Sequence, residues 1–316
     1  MSEAVVEDND LLLDSRQMAR FVARGFLRLD AVVPAHINAA FLAALGQVDT
    51  GDVANMRSYY GRIMTSGAIP AVPAGVPLAA AYPEGSPLAD LLALPRVRGA
   101  IRSLVGRQPI FDHHFLHIAF PPAFYEAQGL RQVSQHNHQD STIDPRAAFD
   151  IQIMYYPHDV TADMGGTRYL PGSHLRVVSE AAIARYQNIR GQQHVVCPAG
   201  TLLFMHHGIW HGAGINRSDR LRYMFKIRMQ PRERQRRLWN TTDLPAPGQP
   251  QRPIFWTGVG GNEDSIDAIL CRPEPWHEAD TGRVEFINRV RFWRYLLDDP
   301  DVDADYWVRR IENDPV

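Results

Sequence analysis

The residues best suited to chemistry are two histidines, an aspartate and an arginine. His138 and Asp140 are separated by one residue, His211 lies 71 positions after Asp140, and Arg222 lies eleven positions after His211. Side chains at i and i+2 of a strand point the same way, so His138 and Asp140 can reach one ion. Two imidazoles and a carboxylate bind iron(II) on one face and leave the other positions open. Arginine can hold a carboxylate through two parallel hydrogen bonds, so the set predicts an oxygenase that consumes a 2-oxoacid.

Short strands in the middle of the chain must position these residues. Runs rich in β-branched and aromatic residues, separated by proline and glycine, predict strands over residues 115–120, 149–156, 167–170, 193–197, 201–206 and 222–229. Many short strands at this spacing indicate a sandwich or barrel, and the double-sheet jelly roll is a common solution. The predicted fold class is therefore mainly β with flanking helices, a double-stranded β-helix (jelly roll, cupin-like).

Helical patterns precede and follow this region. Helices are predicted over residues 15–24 with Ser15 as the cap, from Pro34 to about residue 45, and over residues 88–105 and 284–297, with a strand over residues 26–29. Residues 70–87 are rich in proline, alanine and glycine and predict a loop that folds over a site. We predict one oxygenase domain over residues 1–316, with a helical part (about 15–105), a jelly-roll core (about 110–230) and a C-terminal extension (about 231–316).

The composition excludes several function classes. Lysine and arginine total 33 against 35 acidic residues, so no field of one sign indicates nucleic acid as a partner. No apolar run approaches eighteen residues, and residues 1–9 lack the pattern of a signal peptide, so neither a membrane partner nor secretion is predicted. Cys197 and Cys271 are expected to be reduced thiols in a cytoplasmic protein. The expected partner is a small-molecule substrate, and the oligomeric state is left open.

Three further segments carry a resemblance to a known family. Residues 163–174 read DMGGTRYLPGSH, and residues 200–204 (GTLLF) are followed by residues 211–218 (HGAGINRS). Together with the strand at residues 116–122, these segments resemble, in order, motifs of the phytanoyl-CoA dioxygenase family. The resemblance covers about residues 15–230. It implies a jelly-roll oxygenase that uses iron(II), 2-oxoglutarate and molecular oxygen.

The resemblance also implies roles for individual residues. His138, Asp140 and His211 become the metal ligands and the catalytic centre. Arg222 becomes the clamp for the distal carboxylate of 2-oxoglutarate, with Arg220 as its rival two residues earlier. Two further residues would line the cosubstrate pocket: Tyr156, which could donate a hydrogen bond, and Leu116.

The expected reaction is hydroxylation, or another oxidation, of an unactivated C–H in a small organic molecule, with a secondary metabolite favoured. Relatives that halogenate lack the carboxylate that Asp140 provides, whereas Ala213 stands where the family often has a hydroxyl side chain. Substrate choice is expected to depend on residues 70–87, residues 144–148 and the C-terminal region. Two alternatives are a zinc-dependent hydrolase, which leaves Arg222 unexplained, and a non-catalytic jelly-roll binding protein.

Overall fold

Eight strands form two antiparallel sheets in the computed structural model, which describes residues 11–140, 150–176, 178–244, 264–300 and 302. The larger sheet has the order β1-β6-β3-β8-β2 and the smaller one the order β5-β4-β7. The strands are β1 (Phe26–Leu29), β2 (Ile110–Ala119), β3 (Ile151–Tyr156), β4 (Thr167–Tyr169), β5 (Gln193–His194), β6 (Thr201–His206), β7 (His211–Ala213) and β8 (Arg222–Gln230). These sheets, with their flanking helices, form the predicted jelly roll.

Alternation along β8 shows how one strand serves two environments. Tyr223, Phe225, Ile227 and Met229 belong to the large apolar core on the helix-covered face of the larger sheet. Side chains at even positions point to the opposite face, because successive residues of a strand alternate. A second apolar cluster, which includes Met154, Tyr156, Met205 and Met224, lies on that face. Polar side chains of β8 on the same face are therefore held between the two sheets.

Nine helices flank the sheets in the described parts of the chain. They are α1 (Ser15–Arg24), α2 (Ala35–Leu45), α3 (Val53–Thr65), α4 (Pro87–Ala93), α5 (Pro95–Leu104), α6 (Pro122–Glu126), α7 (Glu180–Ala184), α8 (Ile266–Cys271) and α9 (Ala279–Leu297). Helix α1 has the predicted bounds, but its N-cap is Asp14, whose carboxylate accepts from the Gln17 N–H while the Gln17 side chain accepts from the Asp14 N–H. The helix ends at Gly25, which has φ 77°.

Several predicted elements differ from the observed ones for local reasons. The single helix predicted over residues 88–105 is two helices, because Leu94 before Pro95 adopts an extended conformation. The loop predicted to fold over a site pairs with the outer end of β2 instead, through a bridge between Pro77 and Ile110. Strand β7 is only three residues long and was not predicted.

The remaining features concern the whole chain. The large apolar core contains buried residues from α1 to α5, α8 and α9 as well as from the larger sheet, so helices and sheet share one interior. Cys197 and Cys271 are not joined by a disulfide. Among the described residues, no helix combines the length and the apolar character that a membrane crossing requires.

Candidate active site

His138, Asp140 and His211 converge at one point between the sheets. His138 and His211 form an antiparallel bridge in which each N–H donates to the other residue's carbonyl at 2.9 Å. The Asp140 N–H donates to the His207 carbonyl at 2.9 Å. One potential ligand atom from each of the three residues lies within 4.8 Å of the others. Backbone pairing therefore brings together side chains that are 71 positions apart in the sequence.

Each imidazole places its Nδ1 against a backbone carbonyl and its Nε2 towards Asp140. Nδ1 of His211 lies 2.9 Å from the Ile209 carbonyl, and Nδ1 of His138 lies 3.3 Å from the His136 carbonyl. A nitrogen facing a carbonyl oxygen must carry the proton, so Nε2 of each ring keeps its lone pair. These Nε2 atoms lie 3.6 Å and 3.7 Å from the Asp140 carboxylate oxygens, respectively. Burial lowers the pKa of His211 to about 4, which keeps its ring neutral near pH 7.

The charge of Asp140 completes a donor set that suits a divalent ion. Burial alone would raise the pKa of this carboxyl, but the neighbouring His211 and Lys226 hold it well below its usual value. Oδ2 of Asp140 is buried and has no hydrogen-bond partner among the residues that the structure describes. Two imidazole nitrogens and an ionised carboxylate fit iron(II), and the open cavity beside them leaves room for further ligands.

A cavity of about 590 Å³ adjoins this cluster and contains Arg222. Residues of both sheets line it, including Met154 of the larger sheet and Thr167 of the smaller one. Arg222 is the first residue of β8 and is 3 % exposed. Its Nε and Nη1 have no hydrogen-bond partner in the described structure. Burial lowers the pKa of Arg222. A buried guanidinium with unused donors is suited to a carboxylate, which can accept two parallel hydrogen bonds.

Arg220, the rival for this role, lies elsewhere. It precedes β8, its side chain is exposed, and Nη2 donates to the Thr161 hydroxyl at 3.3 Å. It borders a different surface depression, so the prediction that Arg220 could replace Arg222 in the cavity is wrong. The chain reaches Arg220 through a turn in which Asn216 accepts from Ser218, and alternation along a strand does not extend into that turn.

Leu116 and Tyr156 do not line the cavity as predicted. Leu116 packs against the large apolar core on the helix-covered face of β2, and its neighbour His117 lines the cavity instead. A one-residue shift along a strand moves a side chain to the opposite face. Tyr156 does face the space between the sheets, but it is fully buried in the wall, where its hydroxyl donates to Thr167 at 2.9 Å.

Two cavity residues were not identified from the sequence. His117 lies on the cavity face, where burial and the charges of Lys226 and Arg222 lower its pKa to about 4. Lys226 lies four residues after Arg222 on the same face, and its Nζ is 3.8 Å from Oδ2 of Asp140. The sequence did carry a signal for Lys226: it lies four residues after Arg222 in a predicted strand, and residues four apart on a strand share a face.

The glycine pair at residues 165 and 166 explains part of the motif at residues 163–174. Gly165 has φ +63°, and an added Cβ would lie 2.2 Å from the Ile215 carbonyl oxygen. Close approach allows the Gly214 N–H to donate to the Gly166 carbonyl at 3.2 Å. The turn before β4 is thereby joined to the turn that follows His211. Residues 144–148, expected to influence substrate choice, lie outside the described residues.

The chain matches a family model over a range that includes most of the site. Residues 21–224 match the model described as phytanoyl-CoA dioxygenase (PhyH). The matched range contains His138, Asp140, His211 and Arg222. No curated protein matches the chain significantly.

Several solved structures have a similar fold at low sequence identity. One is a non-heme α-ketoglutarate-dependent carbocyclase, SnoK from nogalamycin biosynthesis, with 18 % identity, 76 % of this chain and 94 % of that chain covered, and a TM-score of 0.49. AviO1 from Streptomyces viridochromogenes Tue57 has 16 % identity, coverage of 77 % and 99 %, and a TM-score of 0.46. HygX from Streptomyces hygroscopicus, solved with nickel and 2-oxoglutarate, has 16 % identity, coverage of 75 % and 95 %, and a TM-score of 0.47.

Proposed function

The chain belongs to the phytanoyl-CoA dioxygenase family, and we propose that it hydroxylates an unactivated C–H of a small organic molecule. As a member of that family it is an oxidoreductase that uses iron(II), 2-oxoglutarate and molecular oxygen. The proposed iron ligands are His138, Asp140 and His211, and the proposed clamp for 2-oxoglutarate is Arg222. A single oxygenase domain, a cytoplasmic location and a small-molecule substrate belong to the same proposal.

One observation carries this proposal. The three potential ligands meet within 4.8 Å of one another beside a cavity that also contains a buried arginine with unused donors. A zinc hydrolase would use the cluster of three ligands, but it has no need for the buried arginine. An oxygenase that consumes 2-oxoglutarate needs both, because the cosubstrate binds the metal at one end and carries a free carboxylate at the other.

The residues of the chain have distinct tasks in this proposal. Carbonyl partners on Nδ1 orient the rings of His138 and His211, so that Nε2 of each ring faces the metal position. Asp140 contributes the negative charge, and Arg222 receives the distal carboxylate of 2-oxoglutarate in a poorly hydrated environment. When bound, iron(II) and 2-oxoglutarate supply the oxidising chemistry, with succinate and carbon dioxide as coproducts. No general base in the protein is required.

The intact carboxylate supports hydroxylation over halogenation, as expected from the sequence. Ala213 provides no hydroxyl near the distal histidine, but the Thr167 hydroxyl lies in the cavity lining. We propose that Thr167, whose hydroxyl oxygen accepts a hydrogen bond from Tyr156, supplies the polar contact to the cosubstrate that Ala213 lacks.

The test of this function needs no knowledge of the substrate. Iron(II) and 2-oxoglutarate are added to the protein without oxygen, and the visible charge-transfer band of the chelated complex is followed. We expect a band only when both components are present. Tight metal binding without a band would refute the oxygenase assignment and favour zinc chemistry.

A further inference from the structure

Lys226 is a second cation in the candidate active site, and it is partly buried. Its side chain is 11 % exposed and lines the cavity with Arg222, on the same face of β8. In the described structure its ion-pair partner is Asp140, at 3.8 Å, and its ammonium also lies 5.7 Å from the centre of the Phe115 ring. Both contacts are longer than a hydrogen bond, so the three donors of the ammonium have no close acceptor there.

When iron(II) and 2-oxoglutarate occupy the site, no negative charge among the described cavity residues remains to balance the ammonium of Lys226. The described residues that line the cavity include the cations Arg131, Arg222 and Lys226, and they include no aspartate or glutamate. Asp140 stands at the edge of this set, and its charge is engaged once it binds a metal. The formal charges of iron(II), Asp140, doubly ionised 2-oxoglutarate and Arg222 cancel. A poorly hydrated ammonium is costly without an anionic partner, so the loaded site favours a further anion near Lys226.

Exposed apolar side chains line the cavity or lie beside this ammonium. Leu130 and Val133 line the cavity and are 58 % and 78 % exposed, respectively. Phe115 is 55 % exposed and pairs with Lys226 across β2 and β8. Single exposed apolar side chains are ordinary, but a group of them beside a cavity indicates a ligand surface. This side of the cavity thus combines exposed apolar side chains with one partly buried positive charge.

We propose that Lys226 binds an anionic oxygen group of the substrate, such as a carboxylate, while the apolar body of the substrate packs against Phe115, Leu130 and Val133. This inference rests on the proposed function and names the substrate class for that same site. The flexible stem of a lysine allows its ammonium to leave Asp140 and meet the incoming anion. Arg222 then serves the cosubstrate and Lys226 serves the substrate. An amphipathic acid is therefore favoured over a neutral molecule of the same shape.

A matched pair of fluorescent probes tests this assignment. The sulfonate probe is 1-anilinonaphthalene-8-sulfonate, and the neutral probe is N-phenyl-1-naphthylamine, which has the same ring skeleton without the charge. Both are titrated into full-length protein loaded with iron(II) and 2-oxoglutarate under anaerobic conditions. We expect Lys226→Met to weaken sulfonate binding by about tenfold to a hundredfold, the range for a charged hydrogen bond, and to leave binding of the neutral probe unchanged.

Controls separate this proposal from the proposed function. Lys226→Arg should restore most of the sulfonate affinity, and Arg220→Met, which removes a cation outside the cavity, should leave both probes unaffected. The 2-oxoglutarate affinity of Lys226→Met should stay within threefold of the wild-type value. The proposal is overturned if Lys226→Met weakens binding of both probes equally, or if the wild-type complex shows no saturable sulfonate binding. It is also overturned if Lys226→Met loses as much 2-oxoglutarate affinity as Arg222→Met. An absent charge-transfer band in the wild-type protein would instead refute the proposed function.

Discussion

Replacing Arg222 with methionine should lower the affinity for 2-oxoglutarate and raise the free energy of unfolding of the apoprotein. The guanidinium is 3 % exposed and leaves Nε and Nη1 without partners in the described structure. The apoprotein therefore holds a desolvated charge that forms no ion pair with the described residues. Methionine has a similar length, is flexible and can fill the vacated volume without requiring hydrogen bonds.

The expected sizes follow from the burial of this side chain. Removing one partner of a buried ion pair costs about 3–5 kcal/mol, which corresponds to a loss of 2-oxoglutarate affinity of about two to three and a half orders of magnitude. An unsatisfied buried polar group costs about 1–3 kcal/mol, and more when it is charged. The free energy of unfolding of the Arg222→Met apoprotein should therefore rise by about 1–3 kcal/mol.

Urea unfolding with and without cosubstrate measures both effects. With metal present, 2-oxoglutarate at one hundred times its wild-type dissociation constant should stabilise the wild-type protein by about 2.7 kcal/mol, and the variant by almost nothing. Arg220→Met is the matched control, because it removes an exposed arginine outside the cavity. The reasoning fails if 2-oxoglutarate stabilises Arg222→Met as much as the wild-type protein, or if Arg220→Met loses the response instead.

Three further predictions concern the metal site, the cavity wall and a buried histidine. Asp140→Ala should weaken iron binding and abolish turnover while the circular dichroism spectrum is retained; full activity with metal bound would contradict the ligand assignment. Tyr156→Phe should lower the free energy of unfolding by about 1 kcal/mol, because the hydrogen bond to Thr167 is lost, yet 2-oxoglutarate affinity, measured by titration, should stay within threefold. Burial lowers the pKa of His206 from 6.5 to about 3, so the unfolded chain binds a proton between these values that the folded protein excludes. This contribution is constant above pH 6.5 and falls by about 1.4 kcal/mol per pH unit below it. Urea unfolding at pH 7 and pH 5 should therefore show a loss of about 2 kcal/mol from this residue, and a His206→Gln variant with an undiminished loss would contradict the assignment.

Local rules predicted the elements whose neighbours in the sequence decide their structure. Helix α1 and strands β1 and β6 have the predicted bounds, because capping residues, glycine stops and runs of apolar residues act over a few positions. The pairing of His138 with Asp140 was also accessible, since alternation in an extended segment places both on one side. The family motifs then supplied the expectation for His211, which no local rule connects with His138.

Tertiary structure decided which face of each strand meets the cavity. Leu116 and His117 differ by one position, and both positions suit a strand, so only the packing of β2 against the helices assigns His117 to the cavity. Arg222 was the predicted clamp and Arg220 its rival until the turn before β8 placed Arg220 outside the cavity. Lys226 became a candidate only when Asp140, 86 positions earlier, was found 3.8 Å from its ammonium. Sequence spacing fixes alternation within a strand, whereas burial and charge at the site arise from segments that meet only in the folded protein.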